Sequence, residues 1–171
     1  MKNILVALLI LSCGTAFGAR KAARWRQANE KELKSVIPAR VAVEKERIET
    51  EFRSASGVIN DQGKLIAGVL IITAGYAAEG KYSHYFLTQV PIKIGEISFS
   101  PGEYVFGHKR VDNDSIEVKF YEAANGNPLG AVRAHKDMKP SGVPSVAITP
   151  LTGGVGTIQI GRFLLEYSTT T

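Results

Sequence analysis

Turn chemistry recurs along this chain at spacings that suit short strands. Asn60-Asp61-Gln62-Gly63, Pro101-Gly102, Val111-Asp112-Asn113-Asp114 and Asn125-Gly126-Asn127-Pro128 each combine residues that fix, bend or hydrogen-bond the local backbone. The runs between them carry strand patterning. Ile116, Val118 and Phe120 alternate with Glu117, Lys119 and Tyr121, the period of two of a half-buried strand. Leu65 to Thr73 is continuously apolar, as in a strand covered on both faces. Tyr82 to Val90, Ile92 to Phe99, Glu103 to Gly107, Leu129 to His135, Val143 to Thr149 and Thr157 to Glu166 complete the set, and Leu129 to His135 returns on Ile116 to Tyr121 as a hairpin. About eight short strands with regular punctuation predict an all-β chain, an antiparallel β-sandwich of immunoglobulin or prealbumin type.

The region before these strands is mixed. Asn29 can cap a helix and Glu32, three residues on, can reach back to complete a capping box. Leu33, Val36 and Ile37 then share a helical face, and Pro38 ends the helix. Val43 to Phe52 fits two patterns. As a helix it sets Lys45, Glu49 and Arg53 at ion-pair spacing; as a strand it lines Ile48, Thr50 and Phe52 on one face. The strand pattern continues through Ser54, Ser56 and Val58, which favours a strand. The organisation expected is a leader over 1–18, a basic arm with a short helix over 19–40, and a β-sandwich domain over 41–171.

The leader has the order of a signal peptide. Lys2 is the basic start, Ile4 to Leu11 an eight-residue apolar core, and Ser12 to Gly18 a small-residue exit. The core is too short to span a bilayer, which takes about 20 apolar residues. Cleavage after Gly18 places small residues, Ala16 and Gly18, at the protease pockets. A second route fits as well: Ile10-Leu11-Ser12-Cys13 has lipobox character, with Cys13 lipidated. Cys13 is the only cysteine, so either route leaves a domain without disulfides, thiolate-bound zinc or a cysteine nucleophile. The 153 residues after Gly18 are enough for one apolar core.

The basic balance sits in the arm. Residues 19–53 hold ten Lys/Arg and six Asp/Glu, whereas residues 54–171 hold ten of each. A nucleic-acid binder carries its excess on the folded body, so nucleic acid is not an expected partner. Arg20, Lys21, Arg24, Trp25 and Arg26 instead suit peripheral contact with an anionic membrane or an acidic polysaccharide.

Candidate site residues are few. His84, His108 and His135 lie on separate elements and in no paired motif, so a metal site would need all three to meet in space. Tyr76, Tyr82, His84 and Tyr85 cluster beside Phe86 in a polar, glycine-containing segment, a pattern that suits a sugar- or peptide-binding surface and equally suits core packing. Thr152-Gly153-Gly154-Val155-Gly156-Thr157 leads into a strand-like run, not into the helix a phosphate loop needs. No G-x-S-x-G elbow occurs, and Glu96, Glu103 and Glu122 are scattered without acid–base pairing. No cofactor is expected.

Phe99-Ser100-Pro101-Gly102-Glu103-Tyr104-Val105-Phe106-Gly107 resembles the P-G-x-Y turn-and-strand of exported bacterial β-sandwich domains, among them prealbumin-like and carboxypeptidase-regulatory-like modules. Glu122 to Gly130 is similar to a hairpin of such domains. The resemblance implies a sandwich with the tyrosine anchored in its core, and it transfers no active site. The function expected is a non-enzymatic binding or structural module of the bacterial envelope, periplasmic or secreted, with a protein or carbohydrate partner. Two alternatives stand beside it: an exported hydrolase or metal-dependent enzyme built on the three histidines, and an assembly subunit that adds a strand to a partner's sheet. Mass spectrometry of the mature protein is expected to find Ala19 first, or a lipid-modified Cys13. A mature chain beginning at Met1 contradicts export.

Overall fold

Asn29 caps α1 (Glu30–Lys34): its side chain accepts the Glu32 backbone N–H at 3.0 Å, and the Glu32 carboxylate accepts the Asn29 N–H at 2.8 Å. The capping box is therefore formed as the spacing predicts, in a computed structural model that describes residues 23–73, 75–139 and 142–170. The leader, Cys13, Arg20 and Lys21 lie outside the described residues. The segment with two readings is strand from Glu46 on, while Val43 ends the preceding strand and Glu44 and Lys45 form the turn between them. After β1 (Trp25–Gln27) and β2 (Arg40–Val43), β3 runs from Glu46 to Asn60 and is bent by an irregularity in its pairing between Glu51 and Ser56.

The remaining elements are β4 (Leu65–Ile71), α2 (Gly75–Ala78), β5 (His84–Thr88), β6 (Ile92–Ile94), β7 (Ile97–Phe99), β8 (Gly102–Arg110), β9 (Ser115–Glu122), β10 (Pro128–Lys136), β11 (Ala147–Ile148), β12 (Val155–Ile160) and β13 (Phe163–Thr169). Every strand pairing is antiparallel. The main path runs β1, β3, β4, β5, β8, β9, β10, β13, β12, β11, with β2 beside β3 and the β6–β7 hairpin against β13.

The chain is thus all-β, but its architecture differs from an eight-strand sandwich: thirteen strands form one curled sheet, a half-barrel. Part of the difference is local. Ile92 to Phe99 and Thr157 to Glu166 each read as one strand, yet each turns back on itself. Gly95 (φ 57°) and Gly161 (φ 60°) supply the left-handed backbone at those two turns, which splits each run into a hairpin. The rest is global. The sheet curls until β11, its last strand, lies against β3 and β4. The Ile148 N–H donates to Ser56 Oγ at 2.9 Å across that junction.

Curling divides the apolar residues into two cores. The interior takes Val58, Ile66, Phe86, Phe106, Phe120, Ala134, Leu165, Ile158 and Ile148, one or more from almost every strand of the path, together with Ile92, Ile94 and Phe99 from the hairpin. Tyr104 joins it, donating its hydroxyl to the Ser100 carbonyl at 2.7 Å. The second core lies on the convex face of β3, β4, β5 and β8. There Ile59, Ala67, Val69, Tyr85 and Val105 are covered by Leu33 and Ile37 from the helical segment and by Val41 and Val43 from β2. Strand β4 is therefore buried on both faces, which accounts for its unbroken apolar run.

Candidate functional site

The curl fixes where the singled-out side chains go. On β5 the odd and even residues face different cores. Tyr85 joins the convex core, while His84 shares the interior face with Phe86. His84 is 2% exposed and lies flat on the Phe106 ring, centroids 4.7 Å apart and planes 6° apart. Its Nε2 is 3.1 Å from the Ser145 carbonyl. A carbonyl only accepts, so Nε2 carries the proton. Nδ1 is then the acceptor for the Ser83 hydroxyl at 2.8 Å. This histidine is a tether between β5 and the segment leading into β11.

His108, on the interior face of β8, is the nearest titratable neighbour, with ring centroids 6.1 Å from His84. Its buried Nδ1 has no hydrogen-bond partner among the described residues. His135 is exposed on β10, and its neighbour Ala134 faces the interior, so His135 points to the opposite side. The structure brings two of the three histidines together and leaves the third outside. Among the described residues no group of three or more His, Cys, Asp or Glu side chains is placed to hold a metal ion.

The aromatic candidates also separate. Tyr82 and Tyr85 are buried in the convex core, Tyr76 is half-exposed, and His84 faces the interior. Tyr76, Tyr82 and Tyr121 do form a ring cluster, with centroids 5.0 Å and 5.2 Å apart in sequence. Its organising group is Glu44, which the sequence pattern does not single out. Glu44 is held in the left-handed region (φ 52°) on the turn between β2 and β3. It accepts from the Tyr82 hydroxyl and, at 3.2 Å, from Lys81 Nζ, while its own N–H donates to the Ala123 carbonyl at 2.7 Å. The Tyr82 hydrogen bond and the Lys81 ammonium keep its carboxyl below the usual range. Burial, reinforced by Glu44, pushes the Tyr82 hydroxyl up to about 12. Strain at a non-glycine residue persists only where the surroundings over-determine it, and here three partners do so.

A groove of about 660 Å³ opens beside this cluster, between β3 and α2. It arises because β4 stops pairing at Ile71. The Ile72 N–H still donates to the Glu49 carbonyl at 2.8 Å, and the chain then turns away into α2. Glu46, Arg47 and Ile48 pair with β2 on one side and, among the described residues, with no strand on the other. The groove is lined by that open edge together with Ile72, Thr73, Tyr76 and Glu79. Ile72 is 58% exposed, an apolar side chain standing in a charged rim. Arg40 and Glu49, opposed in the β2–β3 ladder, pair at 2.6 Å, both exposed.

The described part of the basic arm is engaged with the fold. Trp25 packs against the interior core, and Arg26 forks onto both oxygens of Glu32 at 2.5 and 2.9 Å. That fork, with the Asn29 N–H, holds the Glu32 carboxyl down to about 2. Arg24 is exposed. No family model matches this chain, and neither a curated protein nor a solved structure matches it.

The interior histidines give a signed pH dependence. Burial, then the charge of His108, lowers His84 from 6.5 to about 4, against the opposing pull of the Ser145 carbonyl. Burial lowers His108 as well. An unfolded histidine titrates near 6.5, so between about pH 6.5 and 4 the unfolded chain binds protons that the fold refuses. Stability is therefore complete above this window and is lost as pH falls through it. The His84 share is about 3 kcal/mol at 1.36 kcal/mol per pKa unit. Urea midpoints at about pH 7 and about pH 4 are expected to differ less in His84→Gln than in the native chain. An equal difference in both proteins contradicts this placement of His84.

Proposed function

We infer that this chain is an exported, non-catalytic binding module of the bacterial envelope whose working surface is the groove between β3 and α2. Export rests on the leader's sequence, a basic start, a short apolar core and a small-residue exit. The binding role rests on one observation above the others: the open edge at Glu46–Ile48, with Ile72 standing beside it. An unpaired strand edge offers backbone donors and acceptors in register, and an adjacent pocket offers a seat for alternate side chains. This is the pairing chemistry of strand addition. The charged rim of Arg40, Arg47, Glu46, Glu49 and Glu79 suits that use, because it discourages indiscriminate edge-to-edge pairing. The partner is accordingly an extended peptide segment of another protein, with an apolar residue that reaches Ile72.

The hydrolytic or metal-dependent alternative has less to stand on. His84 has both ring nitrogens engaged within the fold, and His135 lies across the sheet from His84 and His108.

The test is selection from a random peptide library on the mature chain, followed by amide chemical-shift mapping. Selected peptides are expected to shift Glu46 to Glu49 and Ile72. Ile72→Asp is expected to weaken binding by about tenfold, roughly 1.4 kcal/mol, with an unchanged unfolding midpoint. Peptides that map elsewhere, or that bind the Ile72→Asp protein equally well, overturn the reading.

A further inference from the structure

Glu79 lines a second depression, of about 390 Å³, together with Gly80, Lys81, Lys109, Lys119 and Tyr121. Its charge is lopsided, with three ammonium groups and one carboxylate. Two of the lysines are balanced nearby: Lys81 by Glu44 at 3.2 Å and Lys119 by Glu117 at 3.2 Å. Lys109 has no carboxylate within ion-pair reach among the described residues.

The cleft is also held in shape by backbone packing. The loop carrying Gly80 and Lys81 rests on β8 at Gly107, where a Cβ would meet both the Gly80 and Lys81 carbonyl oxygens at 2.5 Å. Gly80 itself takes φ +68°, and a Cβ there would meet the Lys109 stem at 2.6 Å. The Lys109 side chain is exposed, and its stem runs alongside Gly80 of that loop. Lys81 is fixed, its ammonium 4.7 Å from the Tyr82 ring centre. Side chains ordered before a ligand arrives forfeit less entropy when it binds. Tyr121 packs edge-on against Tyr82, which sets its ring at the cleft.

We propose that this cleft binds an anionic saccharide, with a phosphate or carboxylate group on Lys109 and its neighbours Lys81 and Lys119, and the sugar ring against Tyr121. The volume lies within the small-ligand range of about 300–1,000 Å³. Three lysines against one carboxylate along the lining favour an oxyanion. An amphipathic aromatic ring selects a ligand with an apolar C–H face and hydroxyls over a bare ion. The site is separate from the peptide groove, and Glu79 is the one residue that lines both.

Calorimetric titration of the mature chain with glucose 6-phosphate, glucuronate, glucose and inorganic phosphate tests the proposal. Both anionic sugars are expected to bind, glucose is not, and inorganic phosphate is expected to bind at least about threefold more weakly than the sugar phosphate. Lys109→Gln is expected to weaken sugar binding by about fivefold or more, whereas Lys93→Gln, elsewhere on the surface, leaves it unchanged. Lys119→Gln serves the same purpose should Lys109→Gln fail to fold. Ile72→Asp leaves the sugar titration intact, which separates this site from the groove. Failure of both sugars to bind, equal binding by inorganic phosphate, or an undiminished affinity in a folded lysine variant overturns the proposal.

Discussion

The return of the sheet's last strand onto its first ones is the contact on which the rest depends. Ile148 donates its N–H to Ser56 Oγ, and His84 donates its Nε2–H to the Ser145 carbonyl. Around these two hydrogen bonds, Val146 and Ile148 close on Val58, Ile66 and Phe86. Without that return the interior aromatic residues, Phe86, Phe99, Phe106 and Phe120, would line an open concave face. Inside the curled sheet, Phe99 packs edge to face with Phe86 and Phe120 at 6.1 and 5.1 Å, the geometry that ring quadrupoles favour, and Phe106 lies tilted against Phe120 at 5.3 Å. A net hydrogen bond contributes only about 1 kcal/mol, so the apolar burial that the closure permits outweighs the polar contacts that mark it.

The convex side has the opposite problem. A strand buried inside by the curl still presents its other face outward, and on β4, β5 and β8 that face is apolar. The N-terminal segment solves this by laying α1 and β2 across it. The turn between β2 and β3 must then be pinned, and Glu44 does so through Tyr82 and Lys81. Strand β2 gives the first residues of β3 one partner, and β4 leaves β3 at Ile71, so the other edge there stays open and the proposed peptide groove follows from it.

Much of this was legible in the residues where the signal is local. Asn29 and Glu32 announce the helix start. Asn60 to Gly63, Asp112 to Asp114 and Asn125 to Pro128 announce turns, and Ile116 to Tyr121 announces a strand by alternation. The double burial of Leu65 to Ile71 is legible as well, although not what covers each face. The failures are of two physical kinds. At Gly95 and Gly161 a tight hairpin interrupts an apolar run, and glycine in such a run reads equally as a strand interior. Curvature is a property of the whole sheet and leaves no period in the sequence, so a two-layer arrangement and a half-barrel share the same alternation. The sites suffer from distance. Glu44 meets Lys81 and Tyr82 across nearly forty residues, and Ile72 becomes a surface feature only because β4 leaves β3 there. Tyr76, Tyr82, His84 and Tyr85 are close in sequence, but alternation along β5 turns His84 to the interior while the three tyrosines stay with the convex core.

The central claim is that the two ends of the sheet meet around one interior. Nuclear Overhauser contacts on the mature chain test it most directly. The account predicts cross-peaks from the Ile148 amide to the Ser56 methylene, and from the Val146 and Ile148 methyls to Ile66 and the Gly68 methylene. A spectrum that retains the β11–β12 ladder but lacks these long-range contacts would show an open sheet and contradict the fold described.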